Sequence, residues 1–320
     1  ARAHTGGEAV VSLEGGYHGS TQACIDVSHY KFAGQGSAGA PPWVAAANMP
    51  DVFRGLYRSH DPAAASRYAA HVGECFERLA GTGYTASAFL AESIISCGGP
   101  IEPPEGYLAA AYELARANGA VCIADEIQIG FARVGSHMWG FETQGVVPDI
   151  VTLGKPIGNG HPLGAVVTTP EIAASFADGM EFFSTFGGNP VSAAIGLAVL
   201  DVMEDERLQA HAAAVGRKLK ADLGSLAGTH EVIGDVRGRG LFLGVELVRD
   251  RQSLEPAADV ASYVVARMKD RGVLLSTDGS DHNVIKIQPP MPFSEADAER
   301  LVRELDEALG HDIVRALTGS

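Results

Sequence analysis

Cysteine is scarce in this 320-residue sequence: Cys24, Cys75, Cys97 and Cys122 are scattered, with no Cys-x-x-Cys pair. That spacing argues against a disulfide framework or a thiolate zinc site, and no metal is called for. Positive charge is also short. Lys and Arg total 24 against 39 Asp and Glu, a formal net charge of -15, and so acidic a chain repels nucleic acid and anionic membranes. No apolar run reaches the ~18 residues a membrane span needs, and no charged-then-apolar leader opens the chain. There is no internal repeat and no long low-complexity segment. The expectation is a soluble, cytoplasmic protein with a small-molecule substrate and no nucleic-acid or membrane partner. An anionic substrate stays compatible, because a local cationic pocket overrides the global sign. The chain exceeds the ~100–200 residues of one domain, and its character changes near Arg207. Two domains are expected, at 1–206 and 207–320.

What is present centres on Val121 to Leu163. Val121-Cys122-Ile123-Ala124-Asp125 and Ile150-Val151-Thr152-Leu153-Gly154-Lys155 are short apolar runs that read as buried strands, each ended by one ionisable residue. Ligands of open α/β sheets bind beyond the carboxyl ends of the strands, so an acid and an amine delivered there can face one molecule. Pyridoxal 5'-phosphate uses both: its aldehyde condenses with a lysine, and its ring nitrogen stays protonated beside a carboxylate.

Around this centre, Glu8–Leu13 reads as a strand leading into Glu14-Gly15-Gly16-Tyr17-His18-Gly19. Glycines beside an aromatic let the backbone turn tightly and lay a ring flat. Pro62 to Ala80 has Tyr68, Val72, Phe76 and Leu79 at helical spacing. Ser87–Ile95 is a buried strand whose Glu92 needs a partner at the sheet end. A helix over 105–118 returns the chain to the central strand, a βαβ rhythm that predicts a largely parallel sheet. Ala165–Thr168 follows as a further strand, and Phe183-Ser184-Thr185-Phe186 leads into a long helix whose start suits an anion or a simple cap. Beyond Arg207, expected strands over Val232–Leu247, Val273–Ser276 and Val284–Ile287, with helices over Ala257–Arg271 and from Ser294, suggest a smaller α+β domain. Gly238-x-Gly240 is not a dinucleotide fingerprint, since a strand rather than a helix follows.

Ala124-Asp125-Glu126-Ile127-Gln128-Ile129-Gly130-Phe131-Ala132-Arg133-Val134-Gly135 and Pro148-Asp149-Ile150-Val151-Thr152-Leu153-Gly154-Lys155 resemble the signature of the class III aminotransferases in residue type and spacing. The resemblance implies an α/β, fold-type-I architecture: a mostly parallel sheet with helices on both faces, plus a small C-terminal α+β domain. It implies Lys155 and Asp125 as catalytic residues, and Tyr17, His18, Glu92, Asp125, Gln128, Lys155 and Thr185 as the cofactor-binding set. Tyr17 would stack on the ring, and Thr185 would reach the phosphate of a neighbouring subunit's cofactor, hence a homodimer with a shared active site. Members of the family normally carry about a hundred further residues upstream, including a Gly-Ser-x-x-Ala/Asn phosphate loop that is not found here, so the sequence reads as a fragment or one part of a larger protein.

Within the family, Ile25-Asp26-Val27-Ser28-His29-Tyr30-Lys31-Phe32, Phe53-Arg54-Gly55-Leu56-Tyr57-Arg58, Gly154-Lys155-Pro156-Ile157-Gly158-Asn159-Gly160-His161-Pro162, Leu274-Leu275-Ser276-Thr277-Asp278-Gly279 and Lys286-Ile287-Gln288-Pro289-Pro290-Met291 are similar to the ethanolamine-phosphate and phosphohydroxylysine phospho-lyases. Three readings stay open: a phospho-lyase acting on a phosphorylated amine, an ω-amine or amino-acid aminotransferase, and a non-catalytic module of a larger fusion. Lys31, Arg54 and Arg58 are the candidate cations for a leaving phosphate. Arg239 is the alternative, and would equally suit a substrate carboxylate.

Overall fold

The computed structural model describes residues 1–177 and 181–318. Two compact units emerge. The first comprises 1–93, 103–131 and 139–207; the second comprises 94–102, 132–138 and 208–320.

The first unit is built on a six-stranded sheet. Its strands are β1 (Ala9–Leu13), β2 (Val44–Ala47), β3 (Ala86–Glu92), β4 (Val121–Asp125), β5 (Ile150–Leu153) and β6 (Ala165–Thr168), in the order β2-β1-β3-β4-β5-β6. Every neighbouring pair is parallel except β5 and β6. All five residues of β1 are buried, as expected of a strand covered on both faces, where each enclosed Val or Leu contributes about 1.5–3 kcal/mol. The helix Ala64–Gly81 buries Tyr68, Val72, Phe76 and Leu79, the stripe that its spacing predicts. It starts after Pro62 because the Asp61 carboxylate accepts from Ala63 N at 2.9 Å and closes a turn there. Helix Tyr107–Ala117 packs beside it and makes the β3-to-β4 crossover.

Parallel pairing aligns the carboxyl ends of the strands. Glu92 at the end of β3 stands opposite Asp125 at the end of β4, and Asp125 stands opposite Thr152 in β5. Three strands therefore end at one sheet edge.

The second unit holds an antiparallel sheet of β7 (Ile233–Arg239), β8 (Phe242–Leu247), β9 (Ser276–Asp278) and β10 (Val284–Ile287), in the order β7-β8-β10-β9. Its core includes Leu219, Leu223, Val245, Val264, Ile285 and Leu305. One strand differs from expectation: Val273–Leu275 is unpaired, and β9 begins only at Ser276. Val273 N turns back to Met268 O at 2.9 Å to close the preceding helix, and Leu274 is 84% exposed, so the apolar run packs without joining the ladder. A final helix, Asp312–Thr318, follows Glu295–Leu309. Among the described residues no helix is long and apolar enough to cross a membrane.

Candidate active site

The acid end of the sheet edge is closed and tightly bonded. Asp125 is 4% exposed. Its Oδ2 lies 2.7 Å from His18 Nδ1, and its Oδ1 accepts from Ile127 N at 3.1 Å. With Asp125 ionised, the hydrogen sits on Nδ1, and the imidazole then fixes one side of the carboxylate. His18 is itself held: its backbone N donates to Ser28 Oγ at 2.8 Å, and that hydroxyl donates to Cys24 O at 2.6 Å. The glycine turn before it is needed sterically, because a Cβ on Gly16 would stand 3.2 Å from His18 Nε2. That ring nitrogen is buried and has no hydrogen-bond partner. Glu92, 3% exposed, accepts from Tyr17 N at 3.2 Å. Tyr17 and His18 on one side, and Glu92 and Asp125 on the other, are thus joined.

The amine end is open. Lys155 is exposed and begins a single 3-10 turn, Lys155–Gly158, with a left-handed φ of 42°. A lysine in this region is strained, and such strain persists where the surroundings fix it. Its Nζ donates to Gln128 Oε1. Gln128 follows Asp125 on the same loop, so the amine bonds to the segment that carries the acid. Thr185 is exposed, between Phe183 and Phe186, each 78% exposed. The helix behind it, Pro190–Asp205, is capped by Asn189, whose Oδ1 accepts from Ser192 N at 2.9 Å.

The four cations have different surroundings. Lys31 Nζ lies 5.5 Å from the Tyr17 ring centroid and 5.7 Å from that of Tyr30, beside the glycine turn. Arg54 sits in the turn that follows Asp51, where its backbone N donates to Asp51 Oδ1 at 3.2 Å. Arg58 Nη1 donates to Phe53 O and ties the same turn. Arg239 belongs to the second unit and pairs with Glu102.

Sequence reasoning passed over Glu126, which is 1% exposed and accepts from Ser93 Oγ, Gly140 N and Phe141 N. Burial drives its pKa up to about 7 against the lowering pull of those donors, with Asp125 adding to the rise. Adjacent carboxylates at the end of an apolar run were the available signal, since neither is tolerated there without partners.

The donor set fits pyridoxal 5'-phosphate: a buried acid backed by histidine, an accessible amine on the loop after the next strand, and an aromatic residue on the glycine turn whose backbone N donates to Glu92. A family model described as Aminotransferase class-III matches residues 1–309. A Drosophila melanogaster protein named alanine--glyoxylate aminotransferase 2-like is 48% identical over 97% of this chain and 64% of its own length. Ethanolamine-phosphate phospho-lyase homolog 1 of Caenorhabditis elegans is 38% identical over 97% of this chain and 69% of its own. Among solved structures, a phospholyase from Arthrobacter in complex with phosphoethanolamine superposes with a TM-score of 0.90 and 37% identity, covering 97% of this chain and 72% of that one. The chain spans about two thirds of the length of the curated relatives it matches.

Proposed function

This chain belongs to the class III aminotransferases, whose cofactor is pyridoxal 5'-phosphate, and from that premise we propose that it serves a phospho-lyase. The substrate is a phosphorylated amine such as O-phosphoethanolamine, and the products are aldehyde, ammonia and phosphate. The observation that carries this reading is Lys31, whose ammonium lies 5.5 Å from the Tyr17 ring, a cation beside the aromatic assigned to the cofactor. The likeness to the Arthrobacter phospholyase supports it.

In this reading the bound cofactor supplies an aldehyde for the amine and an electron-accepting ring. Asp125 would hold the proton on the ring nitrogen, and His18 holds Asp125. Tyr17 would stack on the ring face, Glu92 and Gln128 would hydrogen bond in the cofactor region, and Thr185 would take the phosphate of the partner copy's cofactor. Lys155 would then be the general base that removes the proton from the amine-bearing carbon. The C–O bond of the neighbouring carbon then breaks and phosphate leaves with the electron pair. Lys31 receives that phosphate, with Arg54 and Arg58 as further cations. Water converts the remaining unsaturated amine to aldehyde and ammonia.

A second reading, an aminotransferase, is favoured by the Drosophila relative's name and 48% identity. It needs the same Lys155 and Asp125, and a cation for the substrate carboxylate. The assembly read for either is a homodimer. Phe182, Phe183 and Phe186, 73%, 78% and 78% exposed around Thr185, are apolar surface of the kind that a second copy covers. A reducing compartment, the cytoplasm in this reading, suits four free thiols.

Phosphate release from O-phosphoethanolamine, measured beside glutamate formation from an amine and 2-oxoglutarate, separates the two. Phosphate without glutamate supports the lyase; glutamate without phosphate overturns it.

A further inference from the structure

We propose that Glu126 is the positioning residue of the acid end: it staples the ends of three strands together, and its charge state tunes the field that Asp125 presents. The inference rests on the reading that Asp125 faces the cofactor's ring nitrogen.

The geometry is that of a staple. Glu126 Oε1 accepts from Ser93 Oγ at 2.6 Å and Phe141 N at 3.0 Å, and Oε2 accepts from Gly140 N at 2.7 Å. Ser93 directly follows Glu92 at the end of β3. Through its backbone, Glu126 N donates to Thr152 O in β5 at 3.0 Å, while Gly130 N donates to Glu126 O at 3.0 Å. One residue therefore grips β3, the end of β4, β5 and the turn at 140–141, and it is the immediate neighbour of Asp125. The enclosure leaves no slack. A Cβ on Gly140 would stand 2.1 Å from Ile129 Cδ1 and 3.1 Å from Ser93 Cβ, and one on Gly130 would stand 2.7 Å from Glu126 O. A shift of the Glu126 carboxylate breaks its bonds to Ser93 Oγ or to the backbone at 140–141, and Ser93 is bonded in sequence to the Glu92 that accepts from Tyr17 N.

The charge is the second half of the argument. The groups that face this carboxylate are the Ser93 hydroxyl, two backbone N–H groups, Asp125 on its own strand end and Tyr112 from helix Tyr107–Ala117, whose phenol burial keeps neutral. None of these is a cation. Burial accordingly raises the proton affinity until Glu126 titrates near neutrality. Its hydrogen-bond geometry survives the proton. At 2.6 Å the Ser93 contact works with the hydrogen on either oxygen, and both N–H groups keep an acceptor. Ionisation changes only the charge, placing a second negative group beside Asp125. A protonated ring nitrogen is then held more firmly above neutral pH than below it.

The test is a titration of the full protein with pyridoxamine 5'-phosphate, which forms no bond with Lys155, at pH 6 and pH 8. Wild type, Glu126→Gln, Ser93→Ala and Asp125→Asn are compared by fluorescence. The expected result is that the ratio of wild-type to E126Q affinity rises about tenfold between the two pH values, the equivalent of one pK unit of coupling, and that S93A, which loses a donor that lowers the Glu126 pKa, gains less affinity than wild type over the same interval. A ratio that is the same at both pH values overturns the inference, leaving Glu126 a purely structural group, provided wild type binds and D125N binds more weakly. Absence of wild-type binding, or undiminished binding by D125N, overturns the cofactor reading and the inference with it.

Discussion

At one end of the site Asp125, Glu126 and Glu92 are 4%, 1% and 3% exposed, and the carboxylates of Asp125 and Glu126 are held by His18, Ser93 and backbone N–H groups. At the other end Lys155 is exposed and bonded to Gln128; Thr185, which the proposed reading gives to a partner copy's cofactor, is likewise exposed, among exposed phenylalanines. The proposed function gives the difference a physical reason. A carboxylate that must keep a proton on a neighbouring ring does so best from a low-dielectric setting with its own geometry fixed in advance. An amine that is displaced and then acts as a base must move, and left-handed Lys155 sits on a short turn rather than in a strand. The acid end is buried and the amine end is exposed.

Several changes break this contrast, the strongest first. Lys155→Ala removes the group at the open end and is expected to abolish turnover, measured as phosphate or glutamate formed; retained turnover contradicts the role given to it. Asp125→Asn keeps the shape of the closed end but weakens its hold on the ring nitrogen. It is expected to lower the turnover rate by about 10²–10⁴-fold, the scale of a positioned acid–base group, with the melting temperature showing whether the fold survives.

Glu126 sharpens the contrast through stability. Its folded pKa of about 7 lies above the ordinary 4.5, so its neutral form favours the folded state. That contribution is complete below about pH 4.5 and is lost as pH rises through about 7, a difference on the order of 3 kcal/mol. Denaturant unfolding of wild type and E126Q between pH 4.5 and 8 is expected to differ in slope in that window, and parallel curves would refute it. The smallest effect belongs to the open end. Phe183→Ser with Phe186→Ser replaces exposed rings and is expected to change the stability of the single chain by no more than about 0.5 kcal/mol per site. It should nonetheless weaken dimerisation, read by sedimentation.

Much of the closed end was legible in the sequence because its signal is chemical contradiction. Asp125 and Glu92 are charges at the ends of apolar strands, and each demands partners. The apolar runs of β1, β3, β4 and β5 likewise announced a sheet covered on both faces. Three features were not legible. Glu126 looked like part of a motif, and its staple depends on Gly140 and Phe141, which are distant in sequence. Arg58 and Arg239 looked like free cations, yet Phe53 O and Glu102 engage them. The run Val273–Leu275 has the apolar character of a strand, but pairing also requires a neighbour, and only Ser276–Asp278 finds one in β10.

The central claim is that Asp125 and Lys155 address one cofactor ring. Its most direct test is to load the full protein with pyridoxal 5'-phosphate, reduce with borohydride and map the modified peptide. The account predicts a single adduct on Lys155, absent from Lys155→Ala and diminished in Asp125→Asn. An adduct on another lysine, or none from the wild type, would contradict it and leave the non-catalytic module as the better reading.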